Sequence, residues 1–160
     1  MNAVSARLLR STIITGVSDG LFSSVLVTVF YGSTFARLWQ GVASVLLGPT
    51  AIGGGTRYVL VGLLMHFGVA FGWSAVFLFM VSRASWVRTV LHSRFGIARV
   101  AAAYGPCVWL MMSLVVIPLV AHRPLPAITY RWWIQLIGHF PFVGIPIVWS
   151  IGNDNPTVSS

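Results

Sequence analysis

Apolar residues in this chain come in long blocks, with no alternation between hydrophobic and polar positions. Four blocks, at about residues 11–32, 57–82, 97–120 and 130–151, each approach the roughly 20 residues a helix needs to cross a hydrocarbon core. A fifth apolar stretch, 38–55, is shorter. Gly48 and Pro49 break it and three glycines, 53–55, close it. That pattern predicts a short re-entrant or interfacial helix between the first and second spans, not a further crossing. The expected fold is all-α: a polytopic membrane protein whose residues 1–160 form a single transmembrane bundle of four transmembrane helices. Residues 152–160 read as a flexible polar tail.

Composition supports the same solvent. Apolar residues make up 57% of the chain and charged residues 8%, with a mean hydropathy of +0.88, whereas a soluble domain carries about 25% charged residues. Arg7 and Arg10 before the first block resemble the start of a signal peptide. No small-x-small cleavage site follows and three more spans do, so an uncleaved first span is expected.

The formal net charge of +8 comes from ten arginines and no lysine. In a soluble protein this would suggest nucleic acid, but here the arginines flank the spans. They read as topology signals and headgroup anchors, making the lipid bilayer the partner and excluding nucleic acid. Six arginines (7, 10, 83, 88, 94 and 99) fall on one side and four (37, 57, 123 and 131) on the other, which favours cytoplasmic termini. Abundant Ala, Gly, Val and Arg without Lys suits a bacterial protein, and hence an inner (plasma) membrane. Trp39, Trp86, Trp132, Trp133 and Trp149, with Tyr31, Tyr58 and Tyr130, lie near span ends. They read as an aromatic belt without chemistry.

The chemistry narrows to a few side chains. Asp19, one of two acidic residues in the chain, sits inside the first span. A carboxylate there is expensive and by default functional, with a partner to be found. Thr12, Thr15, Gly16, Asp19 and Ser23 recur at helical spacing and share one face. Gly16, Gly20 and Ser24 let another helix approach that face. His66 and His139 are the natural partners. They fall at matching positions in spans that run the same way, roughly 13–14 Å below the same surface at ~1.5 Å per residue. Gln135, on the His139 face, is expected to hydrogen-bond across helices and orient a ring. Pro118 ends the third span, and Pro141 and Pro146 remove helix donors inside the fourth; a kink for packing is expected there, the alternative being a freed carbonyl that holds the His139 ring. The alternative for both histidines is helix glue through bonds to backbone.

Other features carry less. The lone Cys107 reads as a buried packing thiol. His92 and His122 read as interfacial. The G-x-S-x-G pattern at 16–20 lies within an apolar helix and lacks the strand a nucleophile elbow needs. No catalytic residues and no enzyme activity are expected. One carboxylate and two histidines are the least a metal could use, so neither metal nor cofactor is expected. A bis-histidine haem is the alternative.

The segments QGVASVLLGPTAIGGG (40–55), GLLMHF (62–67), MSLVVIP (112–118) and HFPFVGIP (139–146) occur in this order. With them the chain resembles, over about residues 12–150, an uncharacterised family of bacterial four-helix inner-membrane proteins. More distantly it resembles an inner-membrane group associated with acid resistance. The resemblance implies a four-span bundle in the inner membrane and supplies no activity, substrate or cofactor. The leading expectation is a small transport or proton-linked module using Asp19, His66, His139 and Gln135. The second is an accessory subunit of a larger membrane complex, or a homo-oligomer.

Overall fold

The computed structural model describes residues 2–152, and every regular element among them is helical. The polar tail expected at 152–160 lies outside the described residues except for Gly152, which ends the last helix. Four helices are long and apolar enough to cross a membrane: α1 (Ala3–Phe30), α3 (Thr56–Arg83), α5 (Gly96–Ala121) and α6 (Tyr130–Gly152). Two shorter helices join them, α2 (Phe35–Leu47) and α4 (Ser85–Leu91).

Local chemistry sets most ends. The first span starts about two turns earlier than the apolar block suggests, because Asn2 caps it by accepting from the Ser5 N–H at 2.8 Å. Thr34 caps α2 by accepting from the Arg37 N–H at 3.1 Å. Gly48, at φ 77°, turns the chain out of α2 before Pro49. The Gln40 side chain then ties down the turn that follows, accepting from Gly53 N–H at 2.9 Å and donating to the Gly55 carbonyl at 3.3 Å. At the end of α3, Arg88 donates to the Val81 carbonyl at 2.6 Å, closing a carbonyl that lacks a helical partner.

Two of the long helices widen into π-helical turns beside proline. In α5 the turn Met112–Val116 directly precedes Ile117 and Pro118. In α6 the turn Phe140–Gly144 contains Pro141 and precedes Pro146. A proline ring cannot donate and crowds the preceding turn, and one wide turn relieves both. A third π turn, Leu26–Phe30, ends α1 without a proline.

The helix α6 is the axis of the bundle. Half of its apolar window is buried, 50% against 17–22% for the other three spans. Two glycines allow the closest approaches. A Cβ at Gly105 of α5 would overlap the His139 carbonyl of α6, and one at Gly62 of α3 would overlap the Trp39 carbonyl of α2. Backbone therefore meets backbone at both places, as small residues permit between membrane helices. Outward-facing side chains such as Leu21, Leu60, Leu64, Phe79, Leu119 and Ile137 are exposed and apolar all round the bundle.

The packed core lies toward the end of the bundle where α3 leads into α4. It contains Phe77, Val81, Val87, Leu91, Ala101, Tyr104, Val108, Ile147, Val148 and Ile151. Ser11 and Ser74 add a buried hydroxyl pair at 2.8 Å between α1 and α3, and Arg10 donates to the Ser150 carbonyl at 2.5 Å.

Several expectations need correction. Cys107 is exposed on the outer face of α5, so it is not a packing thiol. Trp39 and Trp132 are buried, 2% and 8% exposed, and do not belong to an outward belt. Trp86, Trp133, Trp149 and Tyr130 are exposed as such a belt requires.

A polar cluster on an apolar cavity

Toward the α2 end the four long helices part, leaving a cavity of about 620 Å³. Its walls come from all of them, and α2 lies across it with Leu38, Trp39, Val42, Val45 and Leu46. Arg123, in the connection between α5 and α6, reaches back to hold α2. It donates to both the carbonyl and the Oγ of Ser44 at 3.2 Å, at the helix end where a cation is favoured.

Asp19, His66, Gln135 and His139 all line this one cavity. Helix phase accounts for Asp19. Thr15, Gly16 and Gly20 are buried on the same face of α1, and Gly20 packs against His66 and Trp39. A Cβ at Gly16 would overlap the Phe67 ring and one at Gly20 would touch His66, so the two glycines let α3 bring its His66–Phe67 pair against α1. The His66 Nε2 lies 2.9 Å from the Gly16 carbonyl. A carbonyl can only accept, so Nε2 carries a proton. That leaves Nδ1 facing the carboxylate, 3.9 Å from Asp19 Oδ2. This is an ion-pair distance and too long for a hydrogen bond. Both side chains are 15% exposed. Trp39 stands edge-on to the His66 ring, with centroids 5.0 Å apart.

Magnitudes show why the partner matters. Insertion scales put a carboxylate at the centre of a span at about 3 kcal/mol. A unit cation at such a distance offsets about 4 kcal/mol at an effective dielectric near 20. The Asp19 charge is therefore tolerable beside a protonated His66 and costly without one.

His139 is placed differently. Its Nδ1 donates to the carbonyl of Gln135, 2.7 Å away and one helical turn earlier. That bond fixes the tautomer, leaving Nε2 as the ring atom for the cavity. Trp109 of α5 lies tilted against the ring at 4.8 Å. His139 thus lines the same cavity as Asp19 and His66. Gln135 orients the ring through its main chain, not across helices through its amide, and the carbonyl involved is not one freed by proline.

Comparison with protein-family models, curated proteins and solved structures returns no match. The site is therefore read from its own geometry, and the family resemblance remains an expectation.

Sequence reasoning missed the tryptophans. Trp39, Trp73 and Trp109 all line the cavity. Trp109 lies well inside its apolar block, where an indole N–H has no headgroup to reach. That position was the available signal. Four buried polar atoms on the lining residues lack a hydrogen-bond partner: Thr15 Oγ1, Asp19 Oδ1, Trp39 Nε1 and Trp109 Nε1. Native interiors leave few such groups, and together they mark a place built for more than packing. His92 bonds to the Arg88 carbonyl at 2.6 Å and His122 ends α5 in a left-handed conformation; neither lines the cavity. Ser18 lies in unbroken helix, so no strained nucleophile turn forms there. Among the described residues no three His, Cys, Asp or Glu side chains gather as a metal site.

Proposed function

We propose that this chain is a small proton-linked transport module of a bacterial inner membrane, with Asp19 and His66 as its proton-exchanging pair. On this reading the four long helices cross the bilayer, both termini are cytoplasmic and α2 is a re-entrant or interfacial helix closing the far end of the cavity. His139 and Gln135 supply further polar contacts inside. One observation carries the reading: the carboxylate and the His66 imidazole face each other on a cavity large enough for a ligand. A structural histidine needs only a carbonyl. His66 has one in Gly16, and its second nitrogen still faces Asp19. The bis-histidine haem reading has less support, since His66 Nε2 is taken by the Gly16 carbonyl and Nδ1 faces the Asp19 carboxylate.

Isotope-edited infrared spectroscopy of the purified protein tests it. A carboxylic acid band of Asp19 or an imidazolium band of His66 should appear and vanish with pH in the wild type, and the change should be altered in Asp19→Asn. Unchanged protonation of both groups from mildly acidic to mildly alkaline pH rules the reading out.

A second reading, assembly into a homo-oligomer or larger membrane complex, is favoured by Gly68 and Gly72. They sit four apart on α3 with no atom within 4 Å of a Cβ at either, Gly68 at the cavity and Gly72 outside it, the spacing that lets membrane helices associate. Native mass spectrometry from gently solubilised membranes separates the two: a monomer argues against assembly.

A further inference from the structure

We propose that the cavity binds a lipophilic organic cation, held by the Asp19 carboxylate among tryptophan rings, and that cation and proton exclude one another there. This rests on the proton-linked reading and names its substrate class.

Charge gives the sign of the ligand. Asp19 is the only acidic residue among those described, and none of the ten arginines lines the cavity. The titratable groups that face it are His66 of α3 and His139 of α6. To the lining, α2 and α5 add tryptophan and aliphatic side chains and no titratable group. Once the Asp19–His66 pair has lost its proton, the cavity holds one negative charge with no fixed cation to answer it. An anion is repelled by that charge, and a neutral molecule leaves it unpaired.

Size and lining give the body of the ligand. About 620 Å³ falls inside the roughly 300–1,000 Å³ typical of sites for drug-sized molecules. The walls are mostly Val, Leu, Met and Trp. A hydrated metal ion would exchange its water for one carboxylate and two imidazoles, too few hard ligands for the loss. A cation whose charge is spread under aryl or alkyl groups gives up little hydration. Indole is also the aromatic ring that attracts cations most strongly, and Trp39, Trp73 and Trp109 bring it from three different helices.

The balance is one for one. Before binding, the Asp19–His66 pair holds one exchangeable proton and is neutral overall. As the cation enters, that proton leaves to bulk water, and the occupied site is again neutral.

The test uses the full chain in maltoside micelles, with tetraphenylphosphonium as the probe. Binding is followed by equilibrium dialysis and proton release by an indicator dye in weak buffer. The expected result is saturable binding with about one proton released per cation, and affinity falling by up to about tenfold per unit as pH is lowered. Asp19→Asn should lose saturable binding and proton release, while Asp19→Glu keeps both. Thermal melts of each variant check folding. Trp109→Phe should bind several-fold more weakly.

Three results would each overturn the inference: equal saturable uptake of an uncharged tetraphenyl analogue, unchanged affinity in Asp19→Asn, or binding without proton release at every pH. If either group of the pair changes protonation in the infrared but the phosphonium does not bind, the cation inference falls and the proton-linked reading stands. If neither group changes protonation, both fall.

Discussion

The two ends of this bundle are built on opposite principles. Toward α4, the helices meet through Phe77, Tyr104, Val108, Ile147 and Ile151, and several polar groups there find partners: Ser11 with Ser74, the Tyr104 hydroxyl with the Trp73 carbonyl at 2.7 Å, with the Ser150 hydroxyl the exception. Toward α2, the same helices stand apart around a cavity, and polar atoms of Thr15, Asp19, Trp39 and Trp109 go without. The contrast separates a part that holds the helices in register from a part that leaves space and polar groups for chemistry. In hydrocarbon, close packing and hydrogen bonds supply helix association, since the lipid is as apolar as the side chains. Removing them from one end therefore requires more of them at the other.

The largest effect should come from the packed end. Phe77 is fully buried and lies at a centroid distance of 4.8 Å from Tyr104. Phe77→Ala should cost about 3–5 kcal/mol, read as a drop in the unfolding midpoint in mixed micelles. Asp19→Asn should leave that midpoint within about 1 kcal/mol of wild type, since a neutral amide removes the burial cost along with the attraction. Equal losses in the two variants would break the division of labour.

Next comes the helix that spans the hollow end. Gly62→Val places a branched side chain where the Trp39 carbonyl sits and should cost about 1–3 kcal/mol by forcing α2 away from α3. Arg123→Ala acts on the same helix with an effect of similar size. It removes two hydrogen bonds to Ser44, and a hydrogen bond to a charged group is worth about 1.5–3 kcal/mol. Amide exchange should quicken in α2 and stay unchanged around Ile147. Uniform quickening across the bundle would show that α2 supports the whole fold and is no local cover.

Much of this layout is legible in the residues, for uneven reasons. The four spans follow from block length, because few other elements need so many consecutive apolar residues. The facing of Asp19 and His66 follows from helical phase and depth, aided by Gly16 and Gly20, which mark where a neighbour can come close. The burial of Trp39 and Trp132 and the outward turn of Cys107 were not legible, and the cause is physical. In lipid both faces of a span are apolar, so apolarity does not say which face is inside. Polar and small residues are the remaining markers, and α5 offers few on its inner face. The Gln135 carbonyl as holder of His139 was equally hidden, because a main-chain bond leaves no trace in side-chain identity. The π turns were partly visible: prolines flag two of them, and nothing flags Leu26–Phe30.

The smallest expected effect tests the contrast on a single face of α1. Ser11 and Thr15 lie one turn apart, both essentially sealed at 0% and 2% exposed. The Ser11 hydroxyl meets Ser74 at 2.8 Å, while Thr15 Oγ1 meets no partner. Ser11→Ala therefore leaves the Ser74 hydroxyl orphaned and should cost about 1 kcal/mol. Thr15→Val keeps shape and removes an unsatisfied oxygen, so it should be neutral or stabilise by up to about 1 kcal/mol. The opposite signs are what two differently built ends demand, and paired melts of the two variants measure them directly. A loss in Thr15→Val equal to that in Ser11→Ala would mean the hydroxyl has a partner in the cavity. Repeating the melt with tetraphenylphosphonium then gives the partner's nature: a loss that disappears once the cation fills the cavity identifies displaced water.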